Sequence, residues 1–469
     1  MSSFLWVTSG AAVCSLAVAG CDLGEGESVG GEESAQAESG AKSGLTAINP
    51  DKELFITDLR VVNDASTTSY KAGKFNTERE GGFSFGRLID NMSSVEKPSD
   101  AQRSAFVLNW LRQWETPQTV IGQVIPARPL VRSVLITPWK LASIGKLGNN
   151  AAKCNASPAS DFTCKLSFDA AVVPFRLLAI VNRPDLRRVP SSDNAQDGHA
   201  GQGRFVFGVL DAQRNPLPAT VIFEYLVPVS GRSDIKARAE KWHELGGISF
   251  GKKYRDKLHD VSLSFTKWNL APWRANGSAL SQIRTNEVSF AEPGSDPSSP
   301  FGLMWEMREF VIGDDGQIEH DTMKQEPPID LSGTAELAAW VEANQVTLAS
   351  SSHEVPATFN GQPFLAASSL VPFDFVWSVP GASEVSRKAL ALSTCNGCHR
   401  AETDTFFLHV GPRPADAATT LSPFLTAELA PTGPRVADFD FVLTTDWSNI
   451  DDGPGLDHGG KKKRGKGRN

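Results

Sequence analysis

The sequence predicts an α+β protein, a strand-rich central domain with several helices followed by a short helical segment. Three observations lead to that class. Apolar residues recur at helical spacing in a few separated stretches, and β-branched and aromatic runs bounded by turn residues lie between them. Neither an internal repeat nor the strand–helix alternation of a parallel sheet is present. A chain of 469 residues, 40% of them hydrophobic, can bury a substantial core. Its net charge of −8, with both signs interspersed, argues against nucleic acid as a partner of the body.

The N-terminus comes first. Residues 1–20 end in the apolar stretch Ala11 to Gly20, too short for a bilayer span of roughly 17–25 residues. Val18-Ala19-Gly20-Cys21 resembles the bacterial lipobox. That resemblance implies an exported lipoprotein anchored in the cell envelope through a lipid on Cys21, with inner and outer membrane both open. Met1 to Gly10 lack the basic residue with which a secretory signal normally opens. A buried segment with an incidental Cys is the alternative. Residues 21–50 are Gly, Ser, Ala and Glu with almost nothing bulky, so they are expected to form a disordered tether.

Residues 51–380 form the expected globular domain. Ser99 or Asp100 can cap a helix through Glu115 that places Phe106, Val107, Trp110, Leu111 and Trp114 on one face. Cys154 and Cys164 flank a short polar loop, and a local disulfide is the simplest expectation in an oxidising compartment. Phe175 to Val181 is an apolar run broken only by Arg176. Phe205 to Leu210 and Thr220 to Tyr225 are strands of a hairpin turned by Asn215-Pro216-Leu217-Pro218. Val261, Leu263 and Phe265 alternate with Ser262, Ser264 and Thr266, which predicts another strand. Met304 to Ile312 precedes Gly313-Asp314-Asp315-Gly316, so a second hairpin is expected there, and a helix is expected over Thr334 to Asn344.

Polar residues interrupt these apolar segments: Asn182, Arg183, Asp185, Arg187, Arg204 and Glu224, then Arg284, Asn286 and Glu287, then Glu306, Arg308 and Glu309. They could line a ligand pocket at the strand ends. Ion pairs that fix the sheet register are the simpler reading, because no nucleophile motif, metal spacing or phosphate loop accompanies them. The body histidines, His199, His243, His259, His320 and His353, are isolated. Gly201-Gln202-Gly203 lacks the third glycine of a dinucleotide site and is expected to be a turn.

Chemistry is concentrated in residues 381–430. Cys395-Asn396-Gly397-Cys398-His399 resembles the c-type cytochrome haem-attachment site, over this pentapeptide and its neighbourhood only. The resemblance implies one haem c held by thioethers to Cys395 and Cys398, with His399 as proximal iron ligand. Ser383 can cap a preceding helix with Val385, Ala389 and Leu392 on one face, and Gly397 supplies backbone freedom. No Met follows Met323, so His409 is the candidate distal ligand, with Met304 and Met307 of the body, or a five-coordinate iron, as alternatives. Ten residues from His399 to His409 can extend to about 33 Å, enough to pass a porphyrin edge. Pro412, Pro414 and Pro423 leave little room for a long terminal helix, so this segment is expected to pack on the body.

Residues 431–469 are expected to be a tail ending in the basic run Lys461 to Arg468, which can contact an anionic envelope polymer or lipid. The function expected from these features is electron transfer or redox sensing by a membrane-anchored protein, with a redox partner protein. A non-enzymatic envelope-binding lipoprotein, with Cys395 and Cys398 bridged as a staple, is the alternative.

Overall fold

The computed structural model describes residues 47–71, 78–146, 167–191, 195–349, 353–400 and 402–447. The expected signal sequence, Cys21, the expected tether up to residue 46, Cys154, Cys164 and the basic run lie outside these residues.

An antiparallel sheet of eight strands organises an α+β fold. Its strands are β1 (Phe55–Ile56), β2 (Phe175–Arg183), β3 (His199–Leu210), β4 (Pro216–Pro228), β5 (Leu280–Glu287), β6 (Trp305–Ile312), β7 (Ile318–Asp321) and β8 (Ser369–Val371). They lie in the order β1-β2-β3-β4-β5-β6-β8, with β7 also beside β6. β8 pairs with Trp305 to Met307 and β7 with Glu309 to Ile312, so the two short strands share the outer edge of β6.

Both expected hairpins form, β3–β4 and β6–β7. In the first, the turn is Asp211 to Asn215, where the Asp211 carboxylate accepts the backbone N–H of Gln213 at 2.9 Å and of Asn215 at 2.7 Å. Pro216 therefore opens β4, a position where its missing N–H costs little. Gly201 to Gly203 are not a turn but lie within β3. Gly201 takes φ +102° at an irregularity in the β3–β4 register, and a Cβ on Gly203 would come within 2.3 Å of the Phe265 ring.

Helices cover the sheet face that carries Phe205, Phe207 and Phe310. α1 (Phe85–Met92) stacks Phe85 on Phe175, with ring centres 4.2 Å apart. α2 (Asp100–Arg112) is capped by Ser99 and Gln102 in a capping box, and its Trp110, with Trp114 beyond its end, packs on Phe310. α3 (Ser233–His243) precedes α4 (Lys252–Thr266). The strand expected at Val261 to Thr266 is the last part of α4 instead. Tyr254, Leu258, Val261 and Phe265 are buried at spacings of four, three and four, a helical period whose final members mimic alternation.

The segment from 381 does not stand apart from the body, because all described residues belong to one compact unit. α5 (Ala335–Ala343) and α6 (Glu384–Ser393) share a small core of Leu337, Trp340, Val341, Trp377, Leu390 and Ala391. Of the α6 residues expected to share an apolar face, Val385 is 76% exposed and Leu392 37%, while Ala389 packs against this core. Past α7 (Cys395–Cys398) and α8 (Pro423–Glu428), residues assigned to the tail form α9 (Pro434–Thr444). Its Phe439, Val442 and Leu443, with Trp447, are buried in the main core. Pro434 sits in the first turn of α9, where proline is tolerated, so the prolines of this region do not preclude a helix.

Candidate functional site

Strand alternation sorts the polar residues of the sheet into two groups. Gln282, Arg284 and Asn286 on β5 share a face with their partners Glu224 on β4 and Glu309 and Met307 on β6. Glu287, Glu306 and Arg308 point to the other face. There Arg128 bridges Glu287 at 2.9 Å and Glu306 at 2.7 Å, while Arg308 meets Glu306 at 2.8 Å. The second group is a buried ion-pair network against the helices. Arg187 ties Asp438 of α9 at 2.7 Å, and the Asn182 amide donates to the Glu53 carbonyl at 3.2 Å. The first group faces the Cys-x-x-Cys-His motif.

The motif is held by a break in the helix. Thr394 ends α6 and caps α7, its hydroxyl accepting the Gly397 N–H at 3.3 Å. The Trp377 indole N–H donates to Thr394 Oγ1 at 2.9 Å and to Asn396 Oδ1 at 2.6 Å, locking the turn. Gly397 does not use a left-handed conformation. It is needed because a Cβ there would come within 2.1 Å of the Ala391 carbonyl oxygen.

Glu326, which no sequence signal marks, lies beneath the start of α7. Its Oε2 accepts the Cys395 N–H at 2.5 Å and its Oε1 accepts the Ser369 hydroxyl at 3.1 Å. Burial pushes this carboxyl up to about 8, although those hydrogen bonds pull the other way.

His399 ends α7. Its Nδ1 lies 2.7 Å from the Phe407 carbonyl, which can only accept, so Nδ1 carries the proton and Nε2 keeps its lone pair. Asn286 donates to the same carbonyl at 2.7 Å and accepts the Trp305 indole N–H at 2.6 Å, and Trp305 stacks on the imidazole. Burial pushes His399 down to about 4, so the ring is neutral at neutral pH. Cys395 and Cys398 are free thiols, both raised by burial, Cys398 to about 11.

His409 is drawn to the thiols. Its Nε2 lies 3.5 Å from Cys398 Sγ and its Nδ1 2.7 Å from the Ser422 hydroxyl. The His399 and His409 ring centres are 4.3 Å apart. Met307 is buried in an apolar cluster with Trp305 and Phe407.

Cys395, Cys398 and His399 line one wall of an open cavity of about 240 Å³. Arg183, Arg204, Glu224, Gln282, Arg284 and Lys324 form the opposite wall. Arg183 holds Asp185 at 2.6 Å, Arg204 holds Glu224 at 3.2 Å, and Arg284 donates from Nε to Glu309 at 3.0 Å. Burial pulls Arg204 down to about 9, whereas Glu224 and Glu309 hold Arg284 above its usual value despite burial. The ion-pair and pocket readings of the first polar group thus describe the same residues.

Cys395 and Cys398 are thus free thiols beside an imidazole with one nitrogen engaged and the other carrying its lone pair. Among the described residues no group of three or more His, Cys, Asp or Glu is arranged to hold a metal ion directly. No family model, curated protein or solved structure matches the chain.

Proposed function

We propose that the protein carries one c-type haem, joined to Cys395 and Cys398 and ligated by His399, and that it serves in redox sensing or electron transfer at the cell envelope. One observation carries this reading. The Nδ1–H of His399 is committed to the Phe407 carbonyl, so its Nε2 is left as the ligating nitrogen in a cavity that both thiols also line. A haem bound there supplies one-electron chemistry at its iron. The chain's residues orient the imidazole through Asn286 and Trp305 and fix α7 through Trp377 and Glu326.

His399 would hold the iron, and His409, which faces Cys398 and Ser422, is the candidate for a second ligand. Lipid anchoring at Cys21, a redox partner protein and contact of the basic run with an anionic envelope polymer remain parts of the same proposal.

The test is a visible spectrum of full-length protein made with c-type maturation machinery. Bands that survive denaturation, and that are lost in Cys395→Ala with Cys398→Ala, are the expected result. A colourless product would sink the haem reading.

In a colourless product a Cys395–Cys398 staple would leave neither of these two thiols open to alkylation, whereas the free thiols would react.

A further inference from the structure

Two consecutive aromatic residues after the motif are turned opposite ways. Phe407 is buried, stacked on Trp305 with ring centres 5.4 Å apart, whereas Phe406 is 47% exposed. A strained turn separates them. Phe407 takes φ +56°, in the left-handed region that a bulky side chain rarely adopts, and the Leu408 N–H donates to the Phe406 carbonyl at 2.6 Å, closing a γ-turn around it. Strain of this kind persists only where the surroundings hold it. On its inner side the turn presents the Phe407 carbonyl to His399 and Asn286, and on its outer side it puts Phe406 at the surface.

Phe406 has exposed company. It meets Phe301, 61% exposed, edge-on at 5.3 Å, and Phe373 at 5.5 Å. The rings continue inward without a gap. Phe406 lies 5.3 Å from Phe407, Phe407 stacks on Trp305, and Trp305 stacks on His399 at 5.8 Å. A chain of ring contacts therefore runs from the imidazole of the motif to an aromatic patch on the surface.

The patch has an acidic edge. Asp374 follows Phe373 and Asp404 precedes Phe406 by two positions, both exposed, and neither side chain makes a hydrogen bond or ion pair among the described residues. Asp296, which accepts the Phe373 N–H at 2.7 Å, adds a third carboxylate. Arg400, whose charge Asp374 and Asp404 both attract, lies over the Phe373 ring at 3.4 Å and donates from Nε to the Phe373 carbonyl at 2.7 Å.

We propose that Phe301 and Phe406 are the centre of a docking surface for a redox protein whose contact face is apolar with a basic rim, and that one electron passes there between this partner and the haem. No bond is made or broken: the reduced member of the pair loses one electron and the oxidised member gains it. Aromatic anchors inside a charged rim are the anatomy of a protein interface, and an acidic edge selects and steers a basic partner. Electron transfer weakens steeply with distance, which favours docking where the ring chain reaches the surface. The electron step rests on the haem reading, and the surface does not.

The experiment uses the full-length chain, with metal complexes standing in for the partner's face. Tris(phenanthroline)cobalt(III), an aromatic cation and one-electron oxidant, is mixed with the reduced loaded form in stopped flow, and ferricyanide is the anionic comparison. Tris(phenanthroline)ruthenium(II) reports binding to the colourless form through its emission. The variants are Phe301→Ser with Phe406→Ser, and Asp374→Asn with Asp404→Asn, each compared once its unfolding midpoint matches the wild type. Phe406→Ser alone replaces the ring pair should that variant not fold.

Oxidation by the cobalt complex slowed about tenfold or more in the ring variant and about two- to fivefold in the aspartate variant, with the ferricyanide rate unchanged, supports the proposal. If no loaded form is obtained the haem reading fails, and ruthenium binding weakened in both variants still supports the surface. Equal rates and equal binding in wild type and variants overturn it. Self-association of the wild type, or its binding to neutral lipid vesicles, that disappears in the ring variant also overturns it, because a second copy or a membrane then covers the patch.

Discussion

Asn286 on β5 and His399 at the end of α7 donate to one acceptor, the Phe407 carbonyl, each at 2.7 Å. This shared oxygen joins the sheet to the motif. In Asn286→Leu the buried Trp305 N–H loses its acceptor and His399 loses a neighbour that fixes its ring. The expected cost is about 1–3 kcal/mol in urea denaturation. Covalent haem should be retained, because the thiols are untouched, while the axial-ligand signature broadens.

His399→Ala and His409→Ala should behave differently in loaded protein. In the haem reading the first would remove the proximal ligand and change the spectrum at once. The second would remove the candidate second ligand, so a low-spin wild type should become high-spin and bind carbon monoxide readily once reduced. A spectrum unchanged in His409→Ala would leave His409 with Cys398 and Ser422 and rule out that ligation.

Glu326 makes stability fall as pH rises. Its folded-state value, about 8, lies above the 4.5 of an unburied glutamate. The folded protein therefore holds the proton more tightly, and that contribution is complete below pH 4.5 and lost as pH climbs towards 8. Glu326→Gln keeps an oxygen for the Cys395 N–H and should flatten this slope. Urea midpoints of the two proteins between pH 5 and 8 provide the check, and parallel curves would refute it.

Gly397→Ala should loosen the junction of α6 and α7, because the new methyl would meet the Ala391 carbonyl. A loss of about 1–3 kcal/mol is expected in thermal or urea unfolding. Haem incorporation should fall with it, since the spacing of the thiols depends on that turn.

α9 is part of the core, so Phe439→Ala should cost about 3–5 kcal/mol. A chain ending at residue 430 should be insoluble or unfolded by circular dichroism. A well-folded truncation would restore the idea that this region is a dispensable tail.

Much of the fold was legible because local chemistry decides it. Ser99 and Ser383 cap the helices they were expected to cap, and the helix at Thr334, β2, the two hairpins and the helix before the motif stand close to their expected places. Failures came where a short pattern fits two periods or where a neighbour supplies the reason. Val261, Leu263 and Phe265 alternate over too few residues to separate strand from helix. Gly203 and Gly397 are glycines because of Phe265 and the Ala391 carbonyl, which lie far away or a turn back.

By itself the sequence determined the class of fold, most element types and the identity of the three residues expected to carry chemistry, Cys395, Cys398 and His399. These depend on spacing and capping within a few positions along the chain. Only tertiary structure decided that Arg204, Arg284 and Lys324 face those residues across one cavity, that Glu326 supports Cys395, and that His409 turns to Cys398. Strand alternation and sheet register bring together groups separated by up to two hundred residues, and neither register nor the packing of α7 on the sheet is encoded in any local pattern.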